Sequence, residues 1–323
     1  MDDLKHQKAL LGDPAGIFWL YDSEKGFDLT HPTTPTTATT KHAITLTTST
    51  SNIAIDPEKT ALVIVDMQNF FLSTALGRPL GSKGLEAQSQ LLKHALPAAR
   101  KAKMQVVWLN WGLTEEDLKV LPPAEQRAFG FNTLAAAEFD KQLSSLPTGN
   151  SQTLQGSLAS HDLGKDPRMY KGLGRPLGSI QLDDGTSVDA GRMLMRHQWN
   201  TDLSEPLQQE YENSLNSSKP DAWIHKSRIS GMHLPDTPAG MYFREQGLQT
   251  LIFAGVNTDQ CVNATLTDAY CQSFDALMLK DACATTSPGG AQECTENNVS
   301  RMFGFLLDCE TFAKDIDICL ARR

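Results

Sequence analysis

The chain has 323 residues, with 29 Lys and Arg against 38 Asp and Glu, a formal net charge of −9 and 40% hydrophobic residues. The acidic balance argues against nucleic acid or an anionic membrane surface as a partner, and the apolar content is that of a folded chain, not a disordered one. No apolar run is long enough to span a bilayer. The opening residues, MDDLKHQKALLGDPAG, lack the apolar core of a secretory signal, so the reading is a soluble, cytoplasmic protein.

In chain order, the first 58 residues stand apart. Residues 30–51, THPTTPTTATTKHAITLTTSTS, are dominated by Thr and carry almost no charge. Such a composition does not nucleate a core. Residues 1–58 are therefore read as an N-terminal arm, extended on the surface or on a neighbouring subunit, with Phe18, Trp19, Leu20 and Tyr21 as its anchor. One domain is expected over 59–323.

From residue 59 onward the pattern changes. Residues 60–66 (TALVIVD), 104–110 (MQVVWLN), 222–226 (AWIHK), 249–255 (QTLIFAG), 274–281 (FDALMLKD) and 303–308 (FGFLLD) are short, mostly apolar runs. Runs apolar on both faces suit strands buried inside a parallel sheet. Between the first two, residues 85–103 place Leu92, Ala95, Leu96 and Ala99 on one helical face and end in cations that suit the helix dipole, with a kink or restart expected at Pro97. Residues 260–273 place Val262, Leu266 and Ala269 on one face, with Cys261 in the first turn. Alternating strands and helices predict an α/β fold: a doubly wound, mainly parallel six-stranded sheet with helices on both faces.

Residues 113–220 interrupt this rhythm and are too long for one crossover. They are read as an insertion with a helix at 124–147, a Gly-rich segment at 172–178 (GLGRPLG) and a hairpin at Asp183, Asp184 and Gly185. His197 and Trp199 are assigned to structure. The chain is read as having no internal repeat.

The six cysteines, at 261, 271, 283, 294, 309 and 319, contain no C-x-x-C and no zinc spacing. Without an export signal, reduced thiols are expected, and five of them read as small buried hydrophobes. Cys261 is different because of where it falls. In a parallel α/β sheet, ligands bind beyond the carboxyl ends of the strands. Asp66 closes the first run, Lys226 the third, and Cys261 follows the fourth across GVNTDQ. Each has an ordinary alternative: a cap, an edge charge and packing. Together they supply a nucleophile, an acid/base and an electrostatic partner.

ALVIVDMQNFF, then IHKSRISGM, then GVNTDQCVNATLTDAY resemble, in that order, the motifs of the isochorismatase-like cysteine hydrolases, and the resemblance runs over roughly 58–315. It implies a Rossmann-like fold and a triad of Asp66, Lys226 and Cys261. It also implies a non-proline cis peptide at Val256–Asn257 and an oxyanion hole made by the backbone amides of Asn257 and Cys261. The presence of the cysteine favours amide or ureido hydrolysis over isochorismate's vinyl ether. The stretch WLNWGLTEED lacks the metal-binding Asp-x-His of nicotinamide-cleaving relatives, so neither a metal nor any other cofactor is expected. WLNWG, WNTDL and KSRISG resemble the ureidoacrylate amidohydrolases, although the longer arm and the longer 230–237 segment depart from the bacterial members.

The residues themselves fit that branch. Asn110 can donate to and accept from an amide or ureido group. Phe70, Phe71 and Trp111 offer flat walls, Arg228 a two-pronged contact for a carboxylate, and Gln68 an orienting amide. The expected partner is a small-molecule substrate, anionic in the ureidoacrylate case, and the resemblance implies a homo-oligomer. Two rivals stay open here: an isochorismatase with Cys261 as a bystander, and a silent scaffold used for binding.

Overall fold

A computed structural model describes residues 6–37, 40, 42–145, 157–158 and 169–322. Six strands, labelled β1 to β6 in chain order, form one parallel sheet: β1 Thr60–Val65, β2 Gln105–Trp111, β3 Ala222–Lys226, β4 Thr250–Val256, β5 Asp275–Ala284 and β6 Gly304–Leu307. All six coincide with the apolar runs. Every residue of β1, β2 and β4 is buried, which is why these strands read as continuous apolar runs instead of alternating ones. Among the described residues, no helix is long and apolar enough to cross a membrane.

The strand order is β3-β2-β1-β4-β5-β6. The winding reverses between β1 and β4, so the crevice beyond their carboxyl ends is the place where such sheets bind ligands. Val65 pairs with Leu109 on one side and Gly255 on the other. Gly255 has φ +119°, and a Cβ there would lie 2.0 Å from the Val65 carbonyl oxygen. Only glycine lets β1 and β4 approach this closely just before their functional ends. Gly255→Ala is therefore expected to destabilise the protein by at least about 2 kcal/mol, read by denaturant unfolding. A loss below about 0.5 kcal/mol, the size of an ordinary surface substitution, would show that the approach tolerates a side chain.

The helical segment between β1 and β2 is Lys83–Gln90, a π-helical turn at Leu91–Ala95, then Leu96–Lys101. The restart expected at Pro97 is the junction after that turn, where the Leu96 N–H reaches back to the Leu91 carbonyl. Proline has no N–H to continue the ladder, so it is tolerated in the first turn of the restarted helix. The π turn also moves the buried position from the expected Leu92 to Leu91.

The N-terminal segment differs from an extended arm. Lys8–Gly12, Phe18–Asp22, Gly26–Leu29, Ile44–Thr47 and Asn52–Ile55 form a five-stranded sheet. Within the Thr-rich stretch, Ile44 and Leu46 are buried while Thr45 and Thr47 are exposed. This period-2 alternation is a half-buried strand, and Thr is a good strand former, so the Thr content that suggested a coil instead builds the outer face. The sheet sits against β6: the Ser49 N–H donates to the Leu306 carbonyl at 2.8 Å, and the Trp19 and Phe27 rings pack on Phe305. Thr47 N–H donates to Asp315 on the last helix, Cys309–Ala321. The open edge of the parallel sheet is thereby covered.

Asp275, at the start of β5, is the main polar attachment. Its buried carboxylate accepts from Trp19 Nε1 at 2.8 Å and Thr250 Oγ1 at 3.1 Å, and lies 2.6 Å from His31 Nε2. Asp275→Ala leaves these groups without their acceptor. The expected loss is about 2–4 kcal/mol, with the fluorescence of Trp19 changing in the same transition. An unchanged unfolding midpoint would show that the N-terminal sheet is held without this carboxylate.

The chain divides into two compact units. One comprises residues 1–67, 80–110 and 205–323, and the other 68–79 and 111–204. In the second, the single helix expected at 124–147 is two, Pro123–Phe129 and Ala136–Ser145, broken at Gly130 with φ +98°. The end of the expected helix, 146–147, lies outside the described residues. The hairpin is present as Ser179–Gln181 paired with Ser187–Asp189.

Candidate active site

Asp66, Asn110, Lys226 and Cys261 all belong to the first unit. Asp66 follows β1, and its N–H donates to the Leu109 carbonyl at 3.1 Å, which carries the sheet ladder one step past the strand. Its backbone is left-handed, φ 54°, a conformation that a non-glycine residue adopts at a cost and that clusters at functional sites. The register puts Asn110 level with Asp66 on the adjacent strand. Lys226 ends β3, on the far side of β2.

The Lys226 ammonium lies 3.0 Å from Asp66 Oδ2, with both side chains essentially buried. It also donates to the Arg228 and Ile229 carbonyls, each at 3.1 Å. Two carbonyl acceptors and the ion pair fix the ammonium in place beside the carboxylate. A buried ion pair costs desolvation that its attraction barely returns, unless further hydrogen bonds complete it; here the loop 228–229 supplies them. Asn110 is fully buried, and neither Oδ1 nor Nδ2 has a hydrogen-bond partner. Buried amides are nearly always satisfied; this one offers a donor and an acceptor.

Cys261 sits in a π-helical turn, Thr258–Val262, immediately after β4 and ahead of the helix Asn263–Cys271. The Val256–Asn257 peptide is cis. Both Gln260 and Val262 N–H donate to the Asn257 carbonyl. The turn is tied to the loop after β5 and to the helix Ala291–Asn298 that follows it: Thr258 Oγ1 donates to Gln292, Gln260 Nε2 to Ser287, Thr285 Oγ1 to Asp259, and Thr286 N–H to Asn257 Oδ1. Below it, Thr265 Oγ1 donates to the Cys261 carbonyl at 2.7 Å and accepts from the Gly231 N–H at 3.2 Å. One hydroxyl thus links the cysteine turn to the loop that completes Lys226.

All six cysteines are free thiols. Burial pushes the Cys283 and Cys309 thiols far above the ordinary thiol range, which makes them inert packing residues. Cys271 and Cys294 are exposed.

The remaining residues singled out from the sequence are placed as follows. Arg228 is half-buried, and its Nη1 donates to the Ser227 carbonyl at 2.7 Å. Gln68, Phe70, Phe71 and Trp111 belong to the second unit. Gln68 Nε2 donates to the Trp111 and Thr201 carbonyls, both at 2.8 Å, and Oε1 accepts from the Trp111 N–H, so its amide fastens main chain to main chain. Phe70 is fully buried and meets Phe71 and Tyr170 edge-on, and Trp111 meets Phe129 in the same way. Phe129 and Tyr170 join this cluster without any local sequence signal, because their partners lie up to 100 residues away. His197 is left-handed, φ 59°, and Trp199 opens a short helix, its carbonyl accepting from Asn69.

An isochorismatase domain family model matches residues 182–311, a stretch that contains Lys226, Asn257 and Cys261 and ends short of Asp66 on the N-terminal side. Among solved structures, the chain resembles a cysteine hydrolase from Pseudomonas syringae pv. phaseolicola at 18% identity and TM-score 0.51, covering 82% of this chain and 95% of that one. A nicotinamidase from Bacillus subtilis aligns at 15% identity and TM-score 0.48, covering 77% of this chain and 99% of that one. An N-carbamoylsarcosine amidase from Thermoplasma acidophilum aligns at 17% identity and TM-score 0.47, covering 78% and 97%. The family model thus matches the part of the chain that carries Lys226 and Cys261, and the likeness to the cysteine hydrolase structure shows a shared fold.

Proposed function

We propose that the protein is a metal-independent hydrolase that cleaves a non-peptide C–N bond of a small amide, ureide or N-carbamoyl acid of the ureidoacrylate type through a covalent intermediate on Cys261. The observation that carries the reading is the buried Lys226–Asp66 pair at 3.0 Å, one strand from β4, whose end presents Cys261. Asp66 takes the thiol proton as Cys261 Sγ bonds to the substrate carbonyl carbon. The electron pair of the carbonyl moves to oxygen, which rests on the backbone amides of Asn257 and Cys261. The C–N bond then breaks, its pair going to nitrogen, and Asp66 returns the proton to the leaving amine or ammonia. Water, deprotonated by Asp66, attacks the thioester or thiocarbamate; the C–S bond breaks and the thiol is reprotonated. Lys226 keeps the carboxylate in place throughout.

Asn110 supports an amide or ureido group at the reacting centre, since its unpaired donor and acceptor match the C=O and N–H of such a group. A vinyl ether has no N–H to offer it. Arg228, half-buried in the loop after Lys226, is the residue assigned to a substrate carboxylate. The test is ammonia or amine release from a panel of simple amides, ureides and carbamoyl acids, with isochorismate as the competing substrate and Cys261→Ala as the blank. Turnover of isochorismate that survives Cys261→Ala, with no cysteine-dependent release from the panel, would overturn the reading.

A further inference from the structure

A heptapeptide, Leu-Gly-Arg-Pro-Leu-Gly-Ser, occurs twice, at 76–82 and 173–179, which corrects the reading of the chain as free of repeats. Both copies place left-handed glycines at the same positions: Gly77 and Gly81 with φ 79° and 75°, Gly174 and Gly178 with φ 72° and 87°. A left-handed glycine before the arginine and a proline after it fix the path of the chain on both sides of the guanidinium.

The two arginines meet different surroundings. Arg78 Nη2 donates to the Phe70 carbonyl and the Tyr170 hydroxyl, both at 3.2 Å, and its guanidinium lies over both rings. Arg175 is half-buried and its side chain has no partner among the described residues. It lines a cavity of about 670 Å³ that lies wholly within the second unit, in the size range of small-molecule sites.

The charges around that cavity do not cancel. Arg192 is paired with Glu115 and donates to the Gly174 carbonyl, and Lys119 is paired with Glu116. Lys171 Nζ donates only to a neutral carbonyl, that of Leu177, at 2.9 Å. Arg175 and Lys171 are thus two cations without a carboxylate partner among the described residues, beside the apolar Leu118, Leu121 and Phe131. The walls are set by close backbone contact. A Cβ at Gly130 would lie 2.0 Å from the Tyr170 carbonyl oxygen, and one at Gly174 would lie 2.7 Å from Leu118.

We propose that this cavity binds a small organic carboxylate with an apolar body. The carboxylate accepts from the Arg175 guanidinium and the Lys171 ammonium, and the body rests on Leu118, Leu121 and Phe131. In the first heptapeptide the protein supplies the arginine's acceptors itself; in the second it leaves that place to a ligand. None of the residues assigned to the hydrolytic chemistry lines the cavity.

The test uses the full chain and fluorine NMR titration with 4-fluorobenzoate, with 4-fluorobenzyl alcohol as its neutral counterpart. Saturable binding of the benzoate is expected below ~10 mM, and Arg175→Gln should weaken it about ten-fold or more. The alcohol should not saturate. Phe131→Glu, at a side chain 37% exposed, places a carboxylate beside the site and should weaken binding likewise, which covers the case where Arg175→Gln does not fold. Amide turnover in both variants should match the unaltered protein. Binding that is undiminished in the variants, an alcohol that binds as well as the acid, or no saturation at ~10 mM would overturn the proposal.

Discussion

Cys261→Ala should lower amide or ureide turnover by about four to six orders of magnitude, with the fold intact. Removing a nucleophile of the proposed kind costs about as much as removing an entire catalytic set, because its members act as a unit. The loss should fall on kcat, since the thiol bonds the substrate only after binding. Folding should be spared: the turn that carries Cys261 is held by the side chains of Thr258, Gln260, Thr265 and Thr285, none of which depends on the sulfur. Thiol labelling checks the same point independently. In a Cys271→Ser/Cys294→Ser background, which removes the two exposed thiols, fast pH-dependent alkylation should map to Cys261, with Cys283 and Cys309 silent because burial keeps them protonated. Retention of full turnover by Cys261→Ala would end the covalent mechanism.

The second large effect separates stability from chemistry at the Asp66–Lys226 pair. Lys226→Met leaves the Asp66 carboxylate buried without its cation, and the expected loss is about 3–5 kcal/mol of folding free energy, together with nearly all turnover. Asp66→Asn should also abolish turnover, because an amide cannot accept and return the thiol proton that the proposed mechanism assigns to Asp66. The double variant, Asp66→Asn with Lys226→Met, removes both charges from the interior. It should recover a large part of the stability lost in Lys226→Met alone, since replacing a buried pair by neutral groups is far less costly than breaking it. Turnover should stay absent. Strictly additive stability losses would show that the two side chains are not coupled, and turnover in the double variant would remove Asp66 from the mechanism.

The comparison of sequence and fold is clearest in the sheet. Each strand run was visible because burial on both faces leaves a local trace, an unbroken apolar stretch such as ALVIV or VVWL. The N-terminal segment is hard to read from composition for the opposite reason: Thr45 and Thr47 alternate with Ile44 and Leu46, so composition hides a half-buried strand that only its periodicity marks. The break at Gly130 was hidden too, since its need for glycine comes from the Tyr170 carbonyl, 40 residues on. For the same reason Tyr170 carried no signal as a partner of Phe70, which lies 100 residues away in the chain.

By itself the sequence determined the α/β class, the residues standing at the strand ends and the order of the three motifs, because each follows from neighbours within about ten positions. Only the tertiary structure decided that β1 lies between β2 and β4, that Lys226 reaches Asp66 across β2, that Asn110 is buried with both polar atoms unpaired, and that Asp275 ties the N-terminal sheet to the core. It also decided that two identical heptapeptides end up with one arginine held by protein acceptors and one whose side chain has no partner among the described residues. These are contacts between residues far apart in the chain, and their energies depend on which groups the fold brings together. A local pattern carries no record of that.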